Sequence, residues 1–137
     1  MTLKKIRLEL ARTADTPEGD RRCGYEFIAP LDAKGRLDAR AWPREQTKCT
    51  VRRFWTDQAD EHGMLVHHRG GQWLFSYQAG DEDDEPIFRF ATHAFIPGEY
   101  VSITEHDGVE RTFRVTGVRS LLGLAPASTG PLLAPRA

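Results

Sequence analysis

Two consecutive glycines, Gly70 and Gly71, restrict the fold of this chain more than any other sequence feature. They interrupt a segment, 64–77, that is otherwise rich in apolar and aromatic residues. A two-residue turn of the primed type requires positive φ angles, which glycine adopts without steric cost. The pair therefore predicts a β-hairpin in which Arg69 faces Gln72.

This register assigns the side chains of the hairpin to two faces. One face holds three cross-strand pairs: Met64 with Tyr77, Val66 with Phe75, and His68 with Trp73. The other face is of mixed character and holds Leu65, His67, Arg69, Gln72, Leu74 and Ser76. Because the first face is almost entirely large and apolar or aromatic, we expect it to be the buried one.

Alternation of apolar and polar residues predicts strands elsewhere in the chain. The segments with this pattern are 3–12, 22–29, 49–56, 99–105 and 109–118. In the first segment, Leu3, Ile6 and Leu10 also fit a helical stripe, and we favour the strand. Pro30 is expected to end the second strand.

The last two of these strands are expected to form a hairpin with a three-residue loop at 106–108. A two-residue turn would place Glu105 opposite Glu110, and like charges directly opposite each other are destabilising. A loop with Gly108 in the left-handed conformation avoids this. The buried face is then predicted to hold Val101, Ile103, Val109, Phe113 and Val115, with Val101 opposite Phe113.

One short helix is expected near 38–47. Asp38 is a suitable N-cap, and Pro43 limits the helix. Trp42 is expected to pack against the sheet. Seven or so short strands and a single helix indicate a mainly β fold, either a small antiparallel barrel or a strongly bent sheet.

The length of 137 residues fits a single β domain over 1–120, followed by a loosely held C-terminal tail over 121–137. The net charge is −1. Residues 1–56 carry 13 Lys and Arg against 8 Asp and Glu, whereas residues 57–137 carry 6 against 12. We interpret this asymmetry as attraction between two halves of one fold, because a neutral total gives little steering toward nucleic acid.

No segment has the length and apolar character of a membrane span or the continuous apolar core of a signal peptide. The two cysteines, Cys23 and Cys49, are too few for a disulfide framework. A cytoplasmic location with reduced thiols is therefore expected, with no membrane partner.

The five histidines show no spacing typical of a zinc site, so structural or surface roles are expected for most of them. His68 is the exception, because the predicted register buries it opposite Trp73, and a buried imidazole titrates abnormally. We expect His68 to mark the mouth of a pocket. The acidic run at 81–85 has the alternate spacing of a calcium loop, but Pro86 stands where such a loop requires glycine. Neither a metal nor a cofactor is expected.

A basic and aromatic strand is the second candidate for a binding site. It contains Arg52, Arg53 and Trp55, and sites for single-stranded nucleic acid combine cationic and stacking side chains in this way. The alternative interpretation is a sheet strand with ion-paired arginines and a core tryptophan.

The segment 97–103, Pro-Gly-Glu-Tyr-Val-Ser-Ile, resembles the strand entry in flavin-binding barrels of the ferredoxin-reductase type. In that family an Arg-x-Tyr-Ser flavin motif follows this strand. Here the nearest match, Arg-Phe-Ala-Thr at 89–92, precedes it, so the resemblance implies a barrel and not flavin. As a whole, the chain resembles an uncharacterised family of small bacterial β proteins with no assigned activity.

These observations favour a non-catalytic binding module whose partner is another protein. Binding of single-stranded nucleic acid through Arg52, Arg53 and Trp55 is the less favoured alternative. A small enzyme with a pocket near His68 and Trp73 is the third. The sequence specifies neither the ligand nor the oligomeric state.

Overall fold

The computed structural model describes residues 2–12, 17–68, 70–77, 85–88, 94–105 and 107–121. Its strands are β1 (Thr2–Leu10), β2 (Asp20–Leu31), β3 (Thr50–Trp55), β4 (Gln58–His67), β5 (Trp73–Ser76), β6 (Glu85–Phe88), β7 (Tyr100–Thr104) and β8 (Glu110–Ser120). A short helix, α1 (Trp42–Glu45), continues into a single 3₁₀ turn (Gln46–Lys48) between β2 and β3.

The strands form a closed barrel of simple up-and-down topology. Each strand pairs antiparallel with the next along the chain, and β8 pairs antiparallel with β1. This arrangement confirms the predicted mainly antiparallel β fold with one short helix. Closure leaves no strand of the ring with an unpaired edge.

Inward-facing side chains fill the barrel. An eight-stranded barrel has an interior just wide enough for its own side chains. The aromatic rings of Tyr25 and Phe27 each lie 5.1 Å from the ring of Phe75, and Ile6 and Phe113 are fully buried beside them. The interior of the described part of the barrel is therefore a packed core.

A close backbone approach explains one glycine of the β2 strand. A Cβ atom at Gly24 would lie 1.9 Å from the carbonyl oxygen of Leu8 on β1. The β1–β2 pairing shifts its register next to this position, between Glu9 and Leu10. Glycine therefore permits the two strands to bend together at this end of the barrel.

The hairpin of β7 and β8 confirms the predicted three-residue loop. Val101 pairs with Phe113, the amide of Glu105 donates to the carbonyl of Val109 at 3.0 Å, and Gly108 has a φ of 82°. The expected burial of Val109 is wrong, since its side chain is 46% exposed. Val109 lies beyond the end of the barrel core, where alternation no longer decides burial.

The register predicted for the Gly70–Gly71 hairpin is wrong by one residue. His67, not His68, pairs with Trp73, and Leu65, not Val66, pairs with Phe75. The amide of His68 donates to the carbonyl of Gln72 at 2.8 Å. Three residues, 69–71, therefore lie between the two strands at the turn, where two were predicted. A shift of one residue exchanges the faces of a strand. Leu65 is therefore buried, whereas His68 is exposed.

The single short helix lies where it was expected, but its proline has a different role. Pro43 lies in the first turn of α1, where its missing amide donor costs nothing. The Asp38 carboxylate accepts hydrogen bonds from the amides of Arg40 and Ala41 just before the helix. Trp42 packs against the barrel as expected, and its indole N–H donates to the carbonyl of Leu65 at 3.1 Å.

Strand β2 includes Pro30 and continues to Leu31, so the proline does not end it. The predicted tail lies outside the described residues except for Leu121, and so does the acidic run apart from the backbone of Glu85. No helix among the described residues is long and apolar enough to cross a membrane.

Candidate functional site

A groove on the outer wall of the barrel is the first candidate site, and we call it the apolar groove. Its volume is about 790 Å³, and it crosses β1 to β5. Ile28, Met64 and Val66 contribute half-buried apolar side chains to it. Charged and polar side chains also line it: Lys5, Glu26, Thr50, Arg52, His62 and Ser76.

Strand alternation explains why these residues face outward. Phe27, Val51 and Leu65 are buried in the barrel, so their sequence neighbours point to the outer wall. Cross-strand pairing then places these neighbours side by side. The relevant pairs are Lys5 with Ile28, Glu26 with Arg52, Arg52 with His62, Thr50 with Met64, and Met64 with Ser76.

Glu26 is the centre of the charged part of the groove. Its carboxylate accepts hydrogen bonds from Arg7 at 3.0 Å and from Arg52 at 2.8 Å, and Lys5 lies 4.0 Å away. Burial opposes ionisation of Glu26, but the hydrogen bonds from Arg52 and Arg7 outweigh it and lower the pKa of the carboxyl group. This half-buried carboxylate thus faces three cations, of which Arg7 also pairs with Glu9 at 2.7 Å. Lys5 has the longest of the three contacts with Glu26.

Arg52 belongs to this groove, but its charge is already engaged. Its guanidinium bridges Glu26 and Asp60, the latter at 2.9 Å. It also lies 4.9 Å from the ring centre of Phe54, which Arg7 contacts at 4.4 Å. Arg52 is therefore held against the wall by carboxylates and an aromatic ring.

Arg53 faces the interior at the end of the barrel where β3 and β7 finish. Its side chain is 6% exposed, and its Nε donates to the Glu105 carboxylate at 3.0 Å. Arg111 donates to the same carboxylate at 2.7 Å, and the Tyr25 hydroxyl donates at 2.5 Å. The Glu105 side chain is fully buried. We call these four residues the Glu105 network.

Trp55 covers the Glu105 network. The Arg53 guanidinium carbon lies 4.2 Å from its ring centre, and that of Arg111 lies 5.7 Å away. Burial of Arg53 disfavours its charged form, but the hydrogen bond and the charge of Glu105, together with Tyr25, outweigh this effect and raise the pKa of the guanidinium. Both oxygens of the Glu105 carboxylate accept hydrogen bonds. The network therefore holds the barrel end together, and each of its four side chains is engaged in it.

The structure thus separates the residues of the predicted basic–aromatic strand. Arg52 lies on the outer wall, whereas Arg53 and Trp55 lie at the closed end of the barrel. Glu105 and Tyr25 were not recognised as site residues. Their sequence neighbours give no signal for them, because the contact joins positions that are 80 residues apart.

His68 and Trp73 are not brought together. Trp73 is 2% exposed, and the ring stacked on it belongs to His67, with ring centres 4.2 Å apart. Burial, and to a smaller extent the charge of His68, lower the pKa of His67. The abnormal histidine expected from the sequence is therefore His67, one position earlier, and it packs between Trp73 and Trp42.

Comparisons with protein-family models, curated proteins and solved structures give no match for this chain. Membership of a family of small bacterial β proteins therefore stays a prediction. Within the described residues, no group of three or more histidine, cysteine, aspartate or glutamate side chains is placed to hold a metal ion.

Proposed function

We propose that this protein is a non-catalytic binding module and that the apolar groove takes an extended segment of another protein. The observation that carries the proposal is the position of Ile28, Met64 and Val66. They form an apolar patch on an outer wall, although the filled interior already provides the core. Contiguous apolar side chains on an outer surface are typical of interaction sites.

The charges around the patch support a particular kind of partner segment. Arg52 is bonded to Glu26 and Asp60, whereas Lys5 lies at the longer distance of 4.0 Å from Glu26 and is the groove cation best placed to bind a partner. An acidic residue next to the apolar side chains of the partner would complement the charge of Lys5. The partner is therefore a segment with two or more apolar residues flanked by aspartate or glutamate.

The other two expectations receive less support. Among the residues of the nucleic-acid alternative, Arg53 is buried in the Glu105 network and Arg52 is ion-paired. The enzyme alternative relied on His68, which is exposed and does not line the apolar groove. Both remain predictions without a supporting contact.

Selection from a displayed peptide library tests the proposal, with the full chain as bait. We expect enriched peptides to share apolar residues beside an acidic one. Met64→Asp should weaken a selected peptide by at least about tenfold, which corresponds to about 1.4 kcal/mol, whereas Met64→Leu should retain binding. Val109→Asp changes an exposed apolar residue outside the groove and is the matched control.

Two results would contradict this function. In one, no peptide depends on the groove. In the other, Met64→Asp and Val109→Asp bind a selected peptide equally well. Isothermal titration calorimetry with the synthetic peptide gives the affinities, and proton NMR spectra of each variant confirm that the barrel is folded.

A further inference from the structure

A second groove on the barrel, which we call the arginine groove, has a different composition. It lies between the end of β1, the start of β2 and the paired strands β7 and β8, and its volume is about 940 Å³. Arg12, Arg21 and Arg114 line it, together with Tyr100, whose side chain is 51% exposed. None of these residues borders the apolar groove.

The three arginines are exposed, and their guanidinium groups have no ion-pair or hydrogen-bond partner within the described residues. Neighbouring arginines differ from them. Arg22 pairs with Asp20 at 3.2 Å, and Arg7 pairs with Glu9 at 2.7 Å.

The carboxylates of the arginine groove are therefore largely engaged. Asp20 and Glu9 line it but are paired with other arginines. Glu18 is the remaining acidic residue on its wall. Among the residues that the structure describes, three guanidinium groups without partners therefore face one carboxylate without a partner. This gives the groove a local positive excess, although the whole chain has a net charge of −1.

Strand pairing places an aromatic ring beside one of these cations. Tyr100 pairs with Arg114 across β7 and β8, and Arg114 pairs with Glu9 across β8 and β1. The three side chains therefore form a row on the outer wall. A guanidinium binds a phosphate through two parallel N–H groups, and an exposed aromatic ring provides a face for a nucleobase.

We propose that the arginine groove binds single-stranded nucleic acid, with Arg12, Arg21 and Arg114 on successive phosphates and Tyr100 stacked on a base. A single strand suits this site because its bases are free to stack and its backbone follows a curved wall. This inference is independent of the proposed peptide site. It also assigns nucleic-acid contact to different residues from those that the sequence indicated.

Fluorescence anisotropy with an end-labelled oligothymidylate of about 12 nucleotides tests the inference on the full chain. Three phosphate contacts predict that the logarithm of the association constant falls with the logarithm of salt concentration with a slope of about −2. Arg21→Gln and Arg114→Gln should each reduce that slope by about 0.7. Arg40→Gln removes an exposed arginine outside the groove and should leave the slope unchanged.

The role of the aromatic ring has a separate test. Tyr100→Ala should weaken binding by about 5- to 150-fold, because stacking on an aromatic side chain contributes about 1–3 kcal/mol per base. Tyr100→Phe should retain the affinity. Met64→Asp, which disrupts the apolar groove, should bind the oligonucleotide as the wild type does, so the failure of one site is distinguishable from that of the other.

Three outcomes would overturn the inference. The first is the absence of binding at low salt. The second is an equal reduction of the salt slope in Arg40→Gln and Arg114→Gln, which would indicate non-specific electrostatic attraction. The third is an unchanged affinity in Tyr100→Ala, which would exclude stacking.

Discussion

The Tyr25 hydroxyl donates a 2.5 Å hydrogen bond to the Glu105 carboxylate, which joins β2 to the segment that follows β7 inside the barrel. Two arginines complete the shell of this carboxylate. Glu105 is one of two buried charged residues in the described part of the chain, and the other is its partner Arg53. Arg111 also balances the charge of Glu105, and Glu61 lies 3.6 Å from Arg53.

Glu105→Gln is expected to destabilise the barrel strongly. Removal of one partner from a buried ion pair costs about 3–5 kcal/mol, and the partly exposed Glu61, 3.6 Å from Arg53, compensates the guanidinium only in part. Urea unfolding at neutral pH measures the loss. Glu110→Gln, at an exposed position on β8, should change the free energy of unfolding by less than about 0.5 kcal/mol. Equal stabilities of the two variants would show that the network does not hold the barrel end.

Gly24→Ala is expected to lower the free energy of unfolding by at least about 2 kcal/mol, because backbone must move to admit the methyl group. Its Cβ would lie 1.9 Å from a carbonyl oxygen of β1. Gly117→Ala is the control, since the nearest atom there is the Arg7 Cβ at 3.7 Å, an ordinary contact. The difference in urea midpoint between the two variants is the measurement, and similar midpoints would argue against the close approach.

His67 is expected to make stability depend on pH near neutrality. Burial lowers its pKa in the folded chain, so the unfolded chain binds more protons once the pH falls through about 6.5, the ordinary pKa of histidine. Its contribution is therefore complete above about pH 6.5 and decreases as the pH falls below that value. His67→Phe keeps a ring on Trp73 and should lose less stability than the wild type between about pH 7.5 and 5. The measurement is the urea midpoint of each protein across this pH range. An equal change of the midpoint in both proteins would refute this role for His67.

The thiol of Cys49 is expected to be inert in the folded protein. Burial raises its pKa to about 11, and its Sγ–H donates to the carbonyl of Glu45 at 3.3 Å. The thiolate is the reactive form, so iodoacetamide at about pH 8 should modify Cys49 far more slowly in the native chain than in denaturant. Mass spectrometry of the digested protein gives both rates, and fast labelling of the native chain would disprove the burial of this thiol.

Alternation of apolar and polar residues predicts most of the fold. The exception is the register of the β4–β5 hairpin, and it has a specific cause. In β4, Leu65 alternates with Met64 and Val66, so both faces carry apolar residues. Hydrophobic burial alone therefore does not select the register, and a prediction from sequence depends on the length assumed for the turn. In β8, Phe113 and Val115 alternate with charged or polar residues, so only one register buries them, and that prediction is confirmed.

The candidate sites are harder to predict than the fold, because the sequence does not show whether a charged side chain faces the solvent or a buried partner. Arg52 and Arg53 are neighbours of the same chemical type, yet one lies on the outer wall and the other beneath Trp55. Consecutive residues of a strand point to opposite faces, so one arginine faces outward and the other inward. The inward one, Arg53, is paired with a carboxylate that lies 52 residues away in the sequence. Only closure of the barrel brings that carboxylate to the inner arginine.

Pairing of β8 with β1 has a consequence for the order in which the protein is made. The Thr116 hydroxyl donates to the Arg7 carbonyl across 109 residues. Strand β1 therefore gains this neighbour only after β8 has left the ribosome. Until then the outer edges of β1 and β7 are open to other chains, and such edges promote aggregation. During synthesis the chain is therefore prone to aggregation until β8 pairs with β1. Non-local pairing of this kind is slow.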